Sequence, residues 1–291
     1  MTEANKSAVS IDTFSDFSIG SMLLRMGKIS AADAEKIMTL HKERGIRFGE
    51  AAKSLGYITE SDIQQVLARQ FDYPYLQPGE TPGLSPELVA AFQPFSAQVE
   101  VLRNIRSQLT LQWFSQQRKT LAFSSISPKE GVSYLLSNLA VVFSQLGQNT
   151  LLIDANLRDA RQDDIFKLGN GLGLSDVLAG RADVNAVTVN IATFPNLSVL
   201  PAGTTPPNPQ ELVGRPAFKQ LVQAVSEKFD VVLIDAPAYS KGADVFSVAA
   251  SAGGLVLVTR KNLTLLSEVT TFTDRLNANG IQVAGTVLVD F

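Results

Sequence analysis

An α/β protein is the fold class this sequence predicts: a doubly wound, mainly parallel sheet with helices on both faces, preceded by a small all-α domain. Three observations point to it. Beyond residue 119, short apolar runs of the buried-strand kind alternate with helical patterns, beginning with Thr120-Leu121-Ala122-Phe123-Ser124 and Thr150-Leu151-Leu152-Ile153. The second of these runs and Asp230-Val231-Val232-Leu233-Ile234 each deliver an aspartate at the carboxyl end, Asp154 and Asp235. Before residue 77 the pattern is instead a helical unit present twice.

Composition narrows the function classes. A chain of 291 residues favours two domains over one. Although 45% of the residues are hydrophobic, no apolar run approaches the roughly 18–20 residues that span a bilayer. The polar residues 1–6 are followed by no hydrophobic stretch of the secretory kind. The absence of cysteine removes disulfides and thiolate metal centres, and a cytoplasmic location is expected, with membrane association only through a partner. A formal net charge of −3 offers no electrostatic argument for nucleic acid. The single histidine, His41, argues against a zinc centre or a Ser-His-Asp hydrolase and is expected on a solvated helix face.

In chain order, residues 1–17 are expected to form a disordered tail and 18–76 a helical domain. Ile19-Gly20, Leu23, Gly27, Ile29, Ala34 and Met38 recur as Phe48-Gly49, Ala52, Gly56, Ile58, Ile63 and Leu67; Gly20 to Gly49 and Gly27 to Gly56 are the same step of 29. Each copy reads as a helix, a glycine-marked turn and a second helix. Ser30 and Thr59 cap the second helices, and Asp33 and Asp62, three residues on, approximate a capping box. Proline and glycine density over 77–86 ends the helices, and 77–96 is expected to be a linker, with 97–291 as the second domain. Helical spacing resumes toward Trp113 and aligns Glu100, Arg103 and Arg106 in one charged stripe, the usual product of a solvated helix surface.

Between the first strand and its helix lies Ser124-Ser125-Ile126-Ser127-Pro128-Lys129-Glu130-Gly131-Val132-Ser133-Tyr134. In a phosphate-binding loop, backbone N–H groups cradle the phosphates, a lysine beside the last glycine reaches the β/γ-phosphates, and a Ser or Thr hydroxyl ligates magnesium. Gly131 and Ser133 keep their places here, but Val132 stands where the lysine is expected and Lys129 is the nearest cation in the loop. An apolar helical pattern over 133–146 follows and is ended by Gly147. Ligands of open parallel sheets bind outside the carboxyl ends of the strands, so the loop, Asp154 and Asp235 are expected to converge where a magnesium-nucleotide would sit. Further strands are expected at Leu197-Ser198-Val199-Leu200, at Gly254-Leu255-Val256-Leu257-Val258 and over 283–289. A short helix is expected at Pro209-Gln210-Glu211-Leu212-Val213, where Glu211 serves packing or catalysis.

The first domain resembles the N-terminal domain of type II secretion and pilus-assembly ATPases (MshEN-like), which in some members binds cyclic di-GMP. The second copy keeps the family pattern as Arg47-Phe48-Gly49, Gly56-Tyr57-Ile58 and Gln70, whereas the first has Ser18 for the arginine and His41 for the glutamine. The resemblance implies a cyclic di-GMP site at Gly20, Gly27, Arg47, Gly49 and Gly56. The lost contacts favour the other reading, a helical docking module.

Five segments of the second domain together resemble the bacterial tyrosine kinase (BY-kinase) family. They are the Glu-x-x-Arg-x-x-Arg stripe, the Ser-Ser-x-x-Pro-x-Glu-Gly-x-Ser loop, 151–158, Leu200-Pro201-Ala202-Gly203 with 206–212, and 229–237. Within that family, 138–147 and 173–181 are most similar to the EpsG-type chain-length-determinant kinases of exopolysaccharide operons. The resemblance implies a P-loop NTPase-like fold and Mg-ATP or Mg-ADP bound by Pro128, Lys129, Glu130, Gly131, Val132, Ser133, Tyr134 and Arg158. It implies magnesium on Ser133, Asp154 and Asp235, with Asp154, Asn156 and Asp235 at the catalytic positions. It also implies a homo-oligomer built on Glu100, Arg103 and Arg106, and a membrane chain-length determinant (a polysaccharide co-polymerase) as partner.

Departures from the family pattern fall on one site. Asn156 replaces an aspartate, Val132 the loop lysine, Tyr134 a threonine, and Val289 an asparagine expected to read the adenine. The five tyrosines, Tyr57, Tyr73, Tyr75, Tyr134 and Tyr239, form no cluster for autophosphorylation. The expected function is therefore regulation of exopolysaccharide chain length, polymerisation and export with a degenerate ATP site and little or no kinase activity. An active tyrosine kinase with an unusual loop and, more remotely, a ParA/MinD-like ATPase are the alternatives.

Overall fold

The computed structural model describes residues 18–70, 76, 83–169 and 171–290. The expected tail, residues 1–17, and residues 77–82 of the expected linker lie outside them. The chain divides into two compact units, Met1–Gln77 and Pro78–Phe291.

The first unit is built of α1 (Ile19–Arg25), α2 (Ala31–Arg44), α3 (Phe48–Ser54) and α4 (Glu60–Gln70). The repeat is visible in its core, where Leu23 and Ala52, Ile29 and Ile58, and Ile37 and Val66 are buried at matching positions of the two copies. The caps also match. Ser30 and Asp33 form a reciprocal box at the start of α2, and Thr59 and Asp62 do the same before α4. Lys28 of the first copy reaches Asp62 of the second at 2.8 Å. His41, expected on a solvated face, is half-buried in the last turn of α2 and its Nδ1 meets the Ile46 carbonyl just beyond it.

The second unit adds α5 (Val89–Phe92), α6 (Ala97–Gln112), β1 (Thr120–Ser125), α7 (Val132–Gln145), β2 (Thr150–Asp154), α8 (Gln162–Phe166), α9 (Leu174–Leu178), α10 (Val184–Val187), β3 (Val189–Asn190) and β4 (Leu197–Leu200). It continues with α11 (Pro209–Val213), α12 (Pro216–Lys228), β5 (Val231–Asp235), α13 (Asp244–Ala252), β6 (Gly254–Arg260), α14 (Leu266–Ala278) and β7 (Gln282–Val289). The seven strands form one sheet in the order β3-β4-β2-β5-β1-β6-β7. Every pairing is parallel except the two-residue edge strand β3 against β4. The fold is thus the doubly wound, mainly parallel sheet of the P-loop NTPase-like class.

Central strands β1, β2 and β5 are buried along nearly their whole length, which is why their sequences are continuous apolar runs with no alternation. Helix α7 is likewise buried almost all round. Within the stretch expected as linker, residues 85–93 are fastened to the second unit. Ser85 N–H donates to the Ile165 carbonyl at 2.9 Å, Asn138 takes the Ala90 N–H at 2.9 Å and donates to the Glu87 carbonyl at 2.9 Å, and Gln145 donates to the Ala90 carbonyl. Strand order places β5 between β1 and β2, so the ends of three strands and the loop leaving β1 meet at one edge.

Candidate functional site

At that edge the sequence makes a sharp turn before α7. Lys129 and Gly131 both adopt left-handed backbone, φ +66° and +90°. Gly131 is the N-cap and carries no side chain to cap with, so the first N–H groups of the 14-residue helix α7 are left for a ligand. An open cavity of about 850 Å³ lies over this helix start. Pro128, Lys129, Glu130, Gly131, Val132, Ser133 and Tyr134 all line it, as the loop reading expects.

Glu130 shapes the loop from inside. It is buried, its Oε2 accepts the N–H groups of Ile126 at 3.0 Å and Ser127 at 3.3 Å, and its Oε1 accepts from the Thr264 hydroxyl at 2.6 Å. Thr264 in turn takes the Arg260 N–H at 2.8 Å, tying the loop to the end of β6. Tyr134 is held by Gln98 of α6, whose Nε2 donates to the phenol oxygen at 2.8 Å. Val132 is buried and presents hydrocarbon where the motif calls for a cation.

The two strand-end carboxylates are register partners across β2 and β5 and behave differently. Asp154 is fully buried and already engaged by backbone: Oδ1 accepts the Asn156 N–H at 3.1 Å, and Oδ2 those of Arg161 and Gln162, each at 3.0 Å. It closes the turn from β2 into α8 and does not line the cavity. Asp235 does line it. Its Oδ2 accepts from Gln162 Nε2 at 2.8 Å, while its Oδ1 is buried with no partner. Burial pushes the Asp235 carboxyl up to about 6, against the pull of Gln162 and of the Ser133 hydroxyl. Burial, and after it the charge of Asp235, pushes Asp154 well above the usual carboxylate range despite its three N–H donors.

An orphaned carboxylate oxygen beside a serine hydroxyl at a phosphate-type helix start suits a magnesium ion that takes its remaining ligands from phosphate and water. Ser133 and Asp235 therefore fit as metal-holding residues. Asp154, with both oxygens taken, does not fit as the structure stands. No cluster of three or more acidic or histidine side chains among the described residues could hold a metal by itself.

The remaining expected residues have defined jobs. Asn156 forms a local turn with Asp159, accepting its N–H at 3.2 Å and donating to its carbonyl at 2.9 Å. Arg158 lines the cavity but is clamped on the buried Asp244 by Nε at 2.8 Å. Arg161, which the motifs did not single out, also lines the cavity and grips Glu87 at 3.0 and 3.2 Å. Lys241, likewise missed, lines the cavity from the turn after β5. Its only sequence signal is a cation six residues past Asp235 on the same strand-end loop. Val289, expected to read the adenine, ends β7 away from the cavity lining, with its carbonyl taken by Lys261 N–H. Glu211 bonds Asn208 at 2.6 Å, which is a local helix-start contact. In the stripe, Arg103 pairs with Glu100 at 2.9 Å and Arg106 donates to the Val142 carbonyl at 2.9 Å, which binds α6 to α7.

In the first unit, Gly27 and Gly56 occupy left-handed turns, Gly20 is buried in α1, and a Cβ on Gly49 would meet Ile63 at 3.3 Å. Arg47 precedes α3 and its N–H is taken by Glu50. These are turn and packing roles.

Sheet, loop and uncapped helix define a protein of the P-loop NTPase-like class. No protein-family model matches the chain. It is 34% identical over 202 residues to the tyrosine-protein kinase Wzc of Salmonella typhimurium, covering 69% of this chain and 28% of that protein. The chain thus spans little more than a quarter of the length of the curated relatives it matches; for the tyrosine-protein kinase Etk of Escherichia coli the share is 27%. Against the solved kinase domain of Escherichia coli Etk it shows 30% identity and a TM-score of 0.69, covering 76% of this chain and 85% of that domain. The septum site-determining protein MinD of Pyrococcus horikoshii, 23% identical with a TM-score of 0.51 over 59% of this chain and 70% of that one, shares the fold. Through its second unit the chain belongs to the bacterial tyrosine-kinase family. No helix among the described residues is long and apolar enough to cross a membrane.

Proposed function

We propose that the second unit binds a magnesium nucleoside di- or triphosphate and regulates exopolysaccharide chain length, polymerisation and export with little or no phosphoryl transfer of its own. The observation that carries the reading is the division of labour between the two aspartates. Of the two, Asp154 is sealed inside a backbone turn, and Asp235 offers an unpartnered oxygen to the cavity. A phosphoryl-transfer site needs a base or orienting group for the attacking hydroxyl, a metal and a cation on the transferring phosphoryl. Asn156 supplies no base and Val132 no cation.

Magnesium, when bound, would neutralise phosphate charge. The protein's own share is to cradle phosphates at the start of α7, to offer Ser133 and Asp235 to the ion, and to keep the loop rigid through Glu130 and Thr264. In this reading Glu100, with Arg103 and Arg106 behind it, contributes to a homo-oligomer contact. A membrane chain-length determinant is the partner, as the EpsG-type resemblance implies, and the protein works from the cytoplasmic side. The first unit is read as a helical docking module of the MshEN-like kind. Its glycines are explained by turns and packing, so cyclic di-GMP is not needed to account for them.

One observation favours the second reading, an active kinase: Lys129, Arg158, Arg161 and Lys241 all line the cavity, so positive charge is present there. Titrating the purified protein with Mg-ATP and following transfer of the labelled γ-phosphate to a tyrosine peptide separates the two. Saturable binding with transfer no faster than the peptide-free background is expected. Turnover at rates ordinary for a kinase would establish the active enzyme instead.

A further inference from the structure

Four cations face the nucleotide cavity, and two of them are already committed. Arg158 is held by the buried carboxylate of Asp244, and Arg161 by Glu87. Lys129 and Lys241 remain, and neither side-chain ammonium has an ion pair or hydrogen bond among the described residues. They stand on different walls. Lys129 belongs to the loop that leads into the uncapped start of α7. Lys241 ends a continuous wall that begins at Asp235 and includes Ala236 and Ala238, the wall that carries the metal-holding carboxylate.

The turn beneath Lys241 is braced. Ser240 N–H donates to the Ile126 carbonyl at 3.0 Å, and the Ser124 hydroxyl donates to the Pro237 carbonyl at 2.7 Å, so the turn is bonded directly to the phosphate loop. Tyr239 stacks on Phe272 with ring centroids 4.4 Å apart and meets Phe246 edge-on at 5.9 Å. On the other side Gly242 leads into Asp244, the residue that fixes Arg158. A long cationic side chain with no partner of its own is therefore mounted on a fixed base beside Asp235. A cation so mounted suits a phosphate of the nucleotide, the kind of group that a loop lysine would otherwise contact.

We propose that Lys241 is the phosphate-binding cation of this site, supplying from the β5–α13 turn the charge that Val132 does not supply from the loop. This rests on the nucleotide reading above and adds to it the residue that makes binding compatible with a loop lacking lysine. It also predicts selectivity for a triphosphate over a monophosphate.

The test is equilibrium titration of the full chain with Mg-ATP and with AMP, for wild type, Lys241→Ala, Lys241→Arg, Lys129→Ala and, as a charge-matched control on the exposed face of α12, Lys219→Ala. Melting curves of every variant accompany the titrations. Lys241→Ala is expected to weaken Mg-ATP by about tenfold to a hundredfold, the range of a charge-assisted hydrogen bond, with AMP affinity and melting temperature unchanged. Lys241→Arg is expected to retain most of the affinity, and Lys219→Ala all of it. Wild-type binding that survives Lys241→Ala, or is lost instead with Lys129→Ala, overturns the assignment and leaves the nucleotide reading standing. A loss of Mg-ATP affinity accompanied by an equal loss for AMP and a lowered melting temperature also overturns it. A wild type that binds no Mg-ATP brings down the nucleotide reading and the assignment together.

Discussion

Two carboxylates side by side across β2 and β5, both shut away from water, repel each other and cannot both ionise without strain. The folded protein therefore holds a proton that the unfolded chain has already released between the ordinary value of 3.8 and about 6 for Asp235. The sign follows directly. Where the folded state binds more protons, stability falls as pH rises, so the share of the cost that belongs to Asp235 is relieved below about pH 4 and is present above about pH 6. Asp235→Asn is expected to lessen this dependence, leaving the part that burial imposes on Asp154, and to raise stability at pH 7.5 by on the order of 2–3 kcal/mol, from roughly two units of displacement at Asp235, while abolishing magnesium-dependent nucleotide binding. Urea unfolding at pH 5 and 7.5 reads it, and equal pH slopes in wild type and variant would sink the idea. Asp176 has the opposite sign. Burial alone would raise it, but N–H groups of Thr204 and Gly173 together with Arg181 hold it at about 2, so its contribution is present above the ordinary carboxylate value and fades as pH falls toward 2.

At the scale of elements, the phosphate loop is held in shape by a chain of three bonds from β6 through Thr264 and Glu130 to the loop backbone. Glu130→Gln is expected to cost about 1–3 kcal/mol by weakening charge-assisted acceptors for buried N–H groups. Thr264→Val should show coupling to it of about 1 kcal/mol in a double-mutant cycle, measured from denaturation midpoints. Simple additivity of the two would show that the staple is not one unit. The strands and α7 were legible in the sequence because buried parallel strands must be apolar throughout and a buried helix must be apolar all round. The edge strand β3 and the short helices α8 to α10 were not, since two to five residues carry no period. Within the site, Gly131, Ser133 and Asp235 were readable from motif spacing. Lys241, Arg161 and Gln162 were not, because their placement depends on which loops the strand order brings together. The closure of Asp154 is tertiary in the same way: its partners Arg161 and Gln162 lie seven and eight residues on. Residues 85–93 read as linker because they continue the proline- and glycine-dense stretch 77–86, and they are anchored by Asn138, a buried polar residue of α7 whose purpose no local pattern shows.

For the whole molecule, the stripe on α6 has two functions to separate. Arg106 braces α7 through the Val142 carbonyl, whereas the Glu100 side chain is exposed and, among the described residues, pairs with Arg103. If the stripe also joins copies of the chain, Glu100→Ala is expected to shift sedimentation toward monomer with stability changed by less than about 0.5 kcal/mol. Arg106→Ala would lower both assembly and melting temperature. Sedimentation unaffected by Glu100→Ala would confine the stripe to holding the unit together. The proposed function joins a second-unit fold shared with tyrosine kinases, a helix start open to anions and the unpaired Asp235 oxygen into a nucleotide-holding site, in which Val132 and Asn156 would leave phosphoryl transfer slow. The most direct measurement is the single-turnover rate of γ-phosphoryl transfer from bound Mg-ATP, compared between wild type and Val132→Lys at saturating nucleotide. The expected result is saturable binding to both and a rate in Val132→Lys higher by on the order of 10²–10³, the worth of a charge positioned from the loop on the transferring group, beyond the binding contact assigned to Lys241. Equal, kinase-like rates in the two proteins, or no nucleotide binding in either, would contradict it.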